Sequence, residues 1–247
     1  MKIKNIIKIA AINASALIFA VSCSSDSDTF GLSDVTNYPV LEVLGNSPAF
    51  VQLGGSYTDP GVKATENGVV IPFETSYQGD YRGANTLNLN VADRYTAVYS
   101  AVNKDGFSAT ANRSIYVYKT GDFLTSIEGL YESKVVRTPS QGAVPANIPL
   151  KYVIIWKNTD GTYEVSDAIG GYYDLGRSYG TTYASRGLKL NYTAGIATVA
   201  SQPNGVGVFG GNVMVSNVTV NATTKTIVIP STWDSGYNFT ATLTQIN

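Results

Sequence analysis

From Tyr38 to the end of the chain, apolar and polar residues alternate along short stretches, and this period of two restricts the fold more than any other feature. In the stretch 237–244, Tyr, Phe, Ala and Leu occupy every second position, and Asn or Thr fills the positions between them. Such alternation places apolar side chains on one face of an antiparallel strand and polar side chains on the other. No part of 124–247 shows a convincing helical period, so the pattern predicts an all-β chain.

Turn-forming residues separate the alternating stretches of the first half. Asn103-Lys104-Asp105-Gly106 is a good hairpin loop between two predicted strands, Tyr95–Val102 and Ser108–Tyr118. The alternation over 86–91 predicts a further strand. Residues 38–118 thus hold about seven short strands, a number typical of an Ig-like β-sandwich.

A local motif supports this interpretation. The segment 54–64 reads Gly-Gly-Ser-Tyr-Thr-Asp-Pro-Gly-Val-Lys-Ala, which resembles the opening of the bacterial Ig-like repeats of lipoproteins and adhesins. Those repeats end with an Asp-Gly turn and an Arg before Val-x-Val, which Asp105-Gly106, Arg113 and Val117 match. The resemblance implies an Ig-like domain over 38–119 that serves as a spacer or packing partner, although the stretch 66–82 matches it less well.

The N-terminal segment has the features of an export signal. Residues 1–23 begin with lysines, continue with an apolar run too short to span a bilayer, and end at Cys23. A small residue before this lone cysteine resembles the lipobox of bacterial lipoproteins, which implies that Cys23 is acylated. The acidic stretch that follows is similar to the signal that sends Bacteroidota-type lipoproteins to the outer face of the outer membrane. Residues 24–37 are expected to form a flexible tether.

The second half, 124–247, is predicted to contain about eight strands with short connections, in an antiparallel β-sandwich or flattened barrel. Its motifs Glu-Gly-Leu-Tyr, Gly-Gly-Tyr-Tyr and Trp-Asp-Ser-Gly-Tyr resemble surface lipoproteins encoded beside starch-utilisation-system-type transporters. This resemblance implies a role in glycan capture, with the outer-membrane transporter complex as a further candidate partner.

Composition narrows the possible chemistry. Histidine is absent, which removes the commonest general base, the commonest metal ligand and every Ser-His or Cys-His pair. The one cysteine lies in the export signal, so no thiolate metal site is expected in the folded part. We therefore expect a protein that is not an enzyme and that has no cofactor or metal. The net charge of -1 also makes nucleic acid an unsuitable partner.

The candidate ligand-binding residues lie in a Gly-rich stretch, 166–180, and in the connection between the last two strands. They are Tyr172, Tyr173, Tyr179, Trp233, Asp167, Asp174 and Arg177. Aromatic rings can cover the apolar faces of sugars, while Asp and Arg hydrogen-bond to hydroxyl groups. The alternative is that these tyrosines pack beneath a long loop and that the glycines only permit its turns.

Three functions remain open at the level of sequence. The leading hypothesis is a glycan-binding accessory lipoprotein that uses the residues named above. The second is a structural or adhesive protein whose partner is another protein. The third is a glycoside hydrolase, which needs two carboxylates facing one groove, and Asp167 with Asp174 is the candidate pair.

Overall fold

The computed structural model describes residues 35–140 and 142–246. The predicted signal peptide, the lipidation site Cys23 and most of the predicted tether lie outside these residues. Tyr38–Asn247 forms one compact unit.

The N-terminal part contains seven strands in two sheets. The strands are β1 (Val40–Val43), β2 (Ala49–Gln52), β3 (Val62–Glu66), β4 (Val69–Val70), β5 (Glu74–Gly79), β6 (Asp93–Val102) and β7 (Ser108–Tyr118). One sheet has the order β1-β3-β4, and the other has the order β2-β7-β6-β5, in which β2 is parallel to β7. Every second residue of β6 is buried, because alternate side chains of a strand point to opposite faces.

The residues of the Ig-like motif meet inside this sandwich. Arg113 is buried, and its Nε donates a hydrogen bond to the Tyr99 hydroxyl at 2.9 Å. The same nitrogen lies 3.3 Å from a carboxylate oxygen of Asp59, and the guanidinium also donates to the carbonyl oxygens of Leu44 and Asn46. A buried arginine needs such partners, which explains why the Asp-Pro-Gly motif and the arginine occur together.

The prediction of a strand over 86–91 is wrong. This segment is a loop, and an Asn88 side-chain oxygen accepts the Asn90 backbone N–H at 2.9 Å. Leu87 and Leu89 still pack against the Ig-like core, so the alternation reflects which side of the segment faces the core. It does not indicate pairing with another strand.

The C-terminal part is one nine-stranded antiparallel sheet that curves into a nearly closed barrel. Its strands are β8 (Gly129–Thr138), β9 (Leu150–Lys157), β10 (Tyr163–Val165), β11 (Lys189–Thr193), β12 (Ile196–Ser201), β13 (Val213–Val215), β14 (Thr219–Asn221), β15 (Thr226–Trp233) and β16 (Tyr237–Gln245). The order is β12-β11-β10-β9-β8-β16-β15-β13, and β14 also pairs with β15. The prediction of an Ig-like domain followed by an antiparallel β domain is therefore confirmed.

A side chain connects the two ends of this sheet. Gln202 follows β12 and forms two hydrogen bonds with the backbone of Val215 in β13. Its amide nitrogen donates to the carbonyl oxygen at 3.1 Å, and its amide oxygen accepts the N–H at 2.8 Å. The glutamine thus takes the place of a neighbouring strand and satisfies edge groups that lack a ladder partner.

The helical segments are short. A π-helical turn covers Tyr172–Gly176, and 3₁₀ turns cover Thr181–Tyr183 and Gly207–Phe209. None of the helical turns in the described residues has the length and apolar character needed to cross a bilayer.

Candidate functional site

The Gly-rich stretch after β10 folds against the end of the barrel. Residues 166–174 are all buried, and two successive glycines, Gly170 and Gly171, have positive φ values of 69° and 80°. A β-carbon on Gly170 would lie 2.6 Å from the β-carbon of Ala241 and 2.5 Å from the hydroxyl oxygen of Ser133. Only glycine therefore allows the backbone to approach the barrel wall at this point.

This approach assembles an aromatic cluster at the end of the barrel, in which neighbouring ring centroids are 4.9–6.4 Å apart. Its members are Tyr172, Tyr173, Tyr179, Tyr183, Phe209, Trp233, Tyr237 and Phe239. The four aromatic residues that the sequence singles out thus lie in one cluster. These spacings are in the range at which aromatic pairs attract each other.

The inner rings of the cluster are buried. Tyr172, Tyr173 and Trp233 are 2%, 9% and 7% exposed, and the Trp233 indole N–H donates to the carbonyl oxygen of Gly210 at 3.1 Å. A stacking surface for a sugar needs a ring face open to solvent. The expectation that these three rings stack on a ligand is therefore corrected, since they form the packed base of the cluster.

The outer rings are accessible. Tyr179 and Phe209 are 42% and 47% exposed, and Tyr183, which is half-buried, contacts both. We call these three residues the outer aromatic surface. Their planes are tilted against one another by 61–66°, so each ring presents a separate face. Tyr173 stacks on one side of Tyr179, with the ring centroids 6.2 Å apart.

A cation lies at the edge of this surface. Arg177 donates a hydrogen bond to the Tyr179 hydroxyl at 2.9 Å, and its guanidinium carbon lies 5.4 Å from the centre of the same ring. The half-buried Arg177 thus keeps donors available beside an exposed ring. Of the seven predicted residues, Arg177 and Tyr179 are the most accessible to solvent.

Sequence reasoning did not select Phe209, although a signal was present. The residue lies in the segment Gly205-Val-Gly-Val-Phe-Gly-Gly211, where glycines surround an aromatic residue as they do in 170–180. Such connecting loops run over the surface and often carry binding residues. Tyr183 lay close to the predicted stretch and belongs to the same surface.

The first predicted carboxylate, Asp167, is enclosed by protein. It is 1% exposed, and one of its oxygens accepts the Ile169 backbone N–H at 2.9 Å while the other has no hydrogen-bond partner. Burial, assisted by the nearby charge of Asp174, raises the pKa of Asp167 to about 8. The side chain is therefore mostly protonated at neutral pH, and the expectation that it contacts a ligand directly is corrected.

The second predicted carboxylate, Asp174, connects the two β domains. It is 4% exposed and accepts the Tyr81 hydroxyl at 2.7 Å. Arg94 donates to it at 3.5 Å and forms a 2.5 Å ion pair with Asp80. Its side-chain oxygens are engaged by the Ig-like domain, and the residue also lines a cavity between the two domains. Tyr81 belongs to the stretch 66–82, which fits the Ig-like pattern less well.

An apolar cluster surrounds this connection and contains residues from both domains. Its members are Tyr81, Ala92, Tyr116, Tyr118, Leu130, Ile154, Trp156 and Ala184. Trp156 stands in β9 and is 4% exposed, with the Arg82 guanidinium 5.5 Å from its ring centre. The shared cluster and the buried polar contacts fix the position of one domain against the other.

Comparison with known proteins matches each of the two β domains to a domain family. A family model of a C-terminal domain matches residues 120–245, more than half of the chain, and the model of the bacterial surface protein Ig-like domain matches residues 41–117. The crystal structure of the lipoprotein BT2262 from Bacteroides thetaiotaomicron matches with a TM-score of 0.61 and 24% identity. The match covers 84% of this chain and 100% of that chain, and it shows a shared fold. No curated protein matches the chain.

Proposed function

The chain belongs to the family defined by this C-terminal domain, and on that basis we propose that it is a cell-surface lipoprotein that binds carbohydrate. The Ig-like domain holds the barrel away from the membrane. The outer aromatic surface, at the end of the barrel, takes the glycan. The lipid on Cys23 anchors the chain to the outer face of the outer membrane, where a captured glycan can pass to a transporter complex.

The position of Tyr179 and Phe209 supports this proposal most directly. These two large rings remain 42% and 47% exposed, although both contact the buried ring of Tyr173. Leaving rings in water forgoes the free energy of their burial, so their exposure suits a ligand that covers them. The apolar C–H faces of sugar rings fit such surfaces, and Arg177 supplies donors for hydroxyl groups.

A glycan panel tests the proposal. The purified full-length chain in detergent is screened against plant, host and microbial glycans, together with the double variant Tyr179→Ala, Phe209→Ala. Each lost stacking contact costs about 1 kcal/mol, so the double variant should bind at least about tenfold more weakly. Phe107→Ala is the matched control, since Phe107 is 43% exposed on the Ig-like domain.

Two outcomes contradict the proposal. One is the absence of binding to every glycan of the panel. The other is a glycan that the double variant and the wild type bind equally well while both remain folded. Either result favours the alternative of a structural or adhesive protein, and a pull-down of outer-membrane proteins with the full-length chain then identifies its partner.

A further inference from the structure

The Ig-like domain presents a polar row towards the C-terminal domain. Strands β6 and β7 pair so that Arg94 lies opposite Tyr116, and Thr96 lies opposite Ser114. The residues between them in β6, such as Tyr95, point into the Ig-like core, because side chains alternate along a strand. The outer face of this sheet therefore carries hydroxyl and amide groups, and the half-buried Thr96 and Ser114 lie beside the exposed Asn112.

This row is the floor of a groove between the two domains. Two adjoining cavities of about 680 and 470 Å³ share Ser114, Tyr116 and Lys151 as lining residues. The C-terminal domain supplies the opposite wall through the start of β9 and through Asp174, Ser178 and Gly180. A groove of this size can hold several rings of a ligand chain.

Aromatic rings flank one end of the groove. Phe50 is 45% exposed and meets the half-buried Tyr152 edge to face at 5.5 Å, and Tyr152 meets Tyr116 in the same manner at 5.3 Å. Tyr116 and Tyr152 line the smaller cavity. The groove thus combines hydroxyl groups along its floor with ring surfaces at its end, the combination that suits sugars.

The charges of the groove are already paired. Arg94 forms ion pairs with Asp80 at 2.5 Å and with Asp174 at 3.5 Å, while Lys151 contacts Glu132 at 2.9 Å. An acidic ligand would have to compete with these carboxylates for each cation. The groove therefore suits a neutral polyhydroxylated ligand better than an acidic one.

The groove and the outer aromatic surface share one segment of chain. Ser178 and Gly180 line the groove, and Tyr179 between them belongs to the outer aromatic surface. We propose that one neutral oligosaccharide chain occupies both regions, an inference that rests on the proposed carbohydrate binding. Short sugars bind at the outer aromatic surface alone, and longer chains continue over the 178–180 segment into the groove.

Calorimetry on the full-length chain in detergent tests this inference. The probes are neutral oligosaccharides from starch, cellulose and mannan, from the monosaccharide to the octasaccharide, with an oligogalacturonate series as the acidic contrast. Affinity should rise at least tenfold with length in one neutral series. The groove variants are Ser114→Trp, which fills the groove, and Asn112→Ala, which removes an exposed amide without disturbing the core. Asn191→Ala is the matched control, an exposed asparagine on β11.

The outcomes separate the two proposals. Both groove variants should weaken the longest chains severalfold and leave the shortest bound sugar unaffected, whereas Tyr179→Ala should weaken all lengths. Three results would overturn the extended site and leave binding at the outer aromatic surface intact. They are an affinity that does not depend on chain length, groove variants that bind long chains as the wild type does, and a preference for the acidic series. Absence of binding to any probe would overturn both.

Discussion

Replacing Asp167 by asparagine should remove a source of instability of the folded protein at neutral pH. The carboxyl group is fully enclosed, and its pKa is about 8 in the folded state against an ordinary value of 3.8. Between these two values the folded chain holds a proton that the unfolded chain has released. The contribution of this one group to stability is therefore greatest below pH 3.8 and falls as the pH rises towards 8.

The loss of stability follows from the size of the pKa difference between the folded and the unfolded state. Each pH unit within this window lowers the free energy of unfolding by about 1.4 kcal/mol through this one group. From pH 5 to pH 8 the loss is about 4 kcal/mol. An asparagine has no proton to release and retains the oxygen that accepts the Ile169 N–H, so this contribution disappears in Asp167→Asn.

Urea unfolding of the wild type and the variant at several pH values between 5 and 8 shows how steeply the free energy of unfolding of each protein changes with pH. The control is Asp105→Asn, which changes an exposed aspartate of the Ig-like hairpin and should follow the wild-type slope. Parallel curves for the wild type and Asp167→Asn would refute the reasoning. They would mean that the buried carboxyl is solvated or paired in a way that leaves its pKa ordinary.

Substitutions at three further positions test individual contacts by urea unfolding. Asp174→Ala leaves the buried Tyr81 hydroxyl without its acceptor and should lower the free energy of unfolding by about 2–4 kcal/mol. Asp174→Asn retains an acceptor oxygen and should lower it less, so equal losses for the two variants would contradict this role. Gln202→Ala removes both hydrogen bonds to Val215 and should lower the free energy of unfolding by about 1–3 kcal/mol. It should also speed hydrogen exchange of the Val215 amide, and unchanged exchange would show that this amide has another hydrogen-bond acceptor. Tyr237→Leu removes a ring whose centre lies 3.8 Å from the buried Arg137 guanidinium and should cost about 2 kcal/mol, while Tyr237→Phe keeps the ring and should stay near wild type.

Local patterns predicted the fold class and several individual strands and turns. The alternation over 237–244 corresponds to β16, and the hairpin predicted around Asn103–Gly106 joins β6 to β7. These predictions succeed because a strand's period and a turn's conformational demands depend on neighbouring residues. The wrong strand prediction at 86–91 shows the limit of such patterns. Alternation indicates that one side of a segment faces the core, whether or not another strand is available to pair with it.

For the candidate site, the local sequence shows which residue types gather in the Gly-rich stretch, but the packing of the fold controls which of them reach solvent. Tyr173 and Tyr179 are six positions apart in the same stretch, yet the first is buried and the second is 42% exposed. Phe209 joins Tyr179 only because the two loops meet at the same end of the barrel. Asp174 is bound by Tyr81, which is 93 positions away. Burial and partners at such distances depend on how whole sheets pack, and no local pattern of residues contains that information.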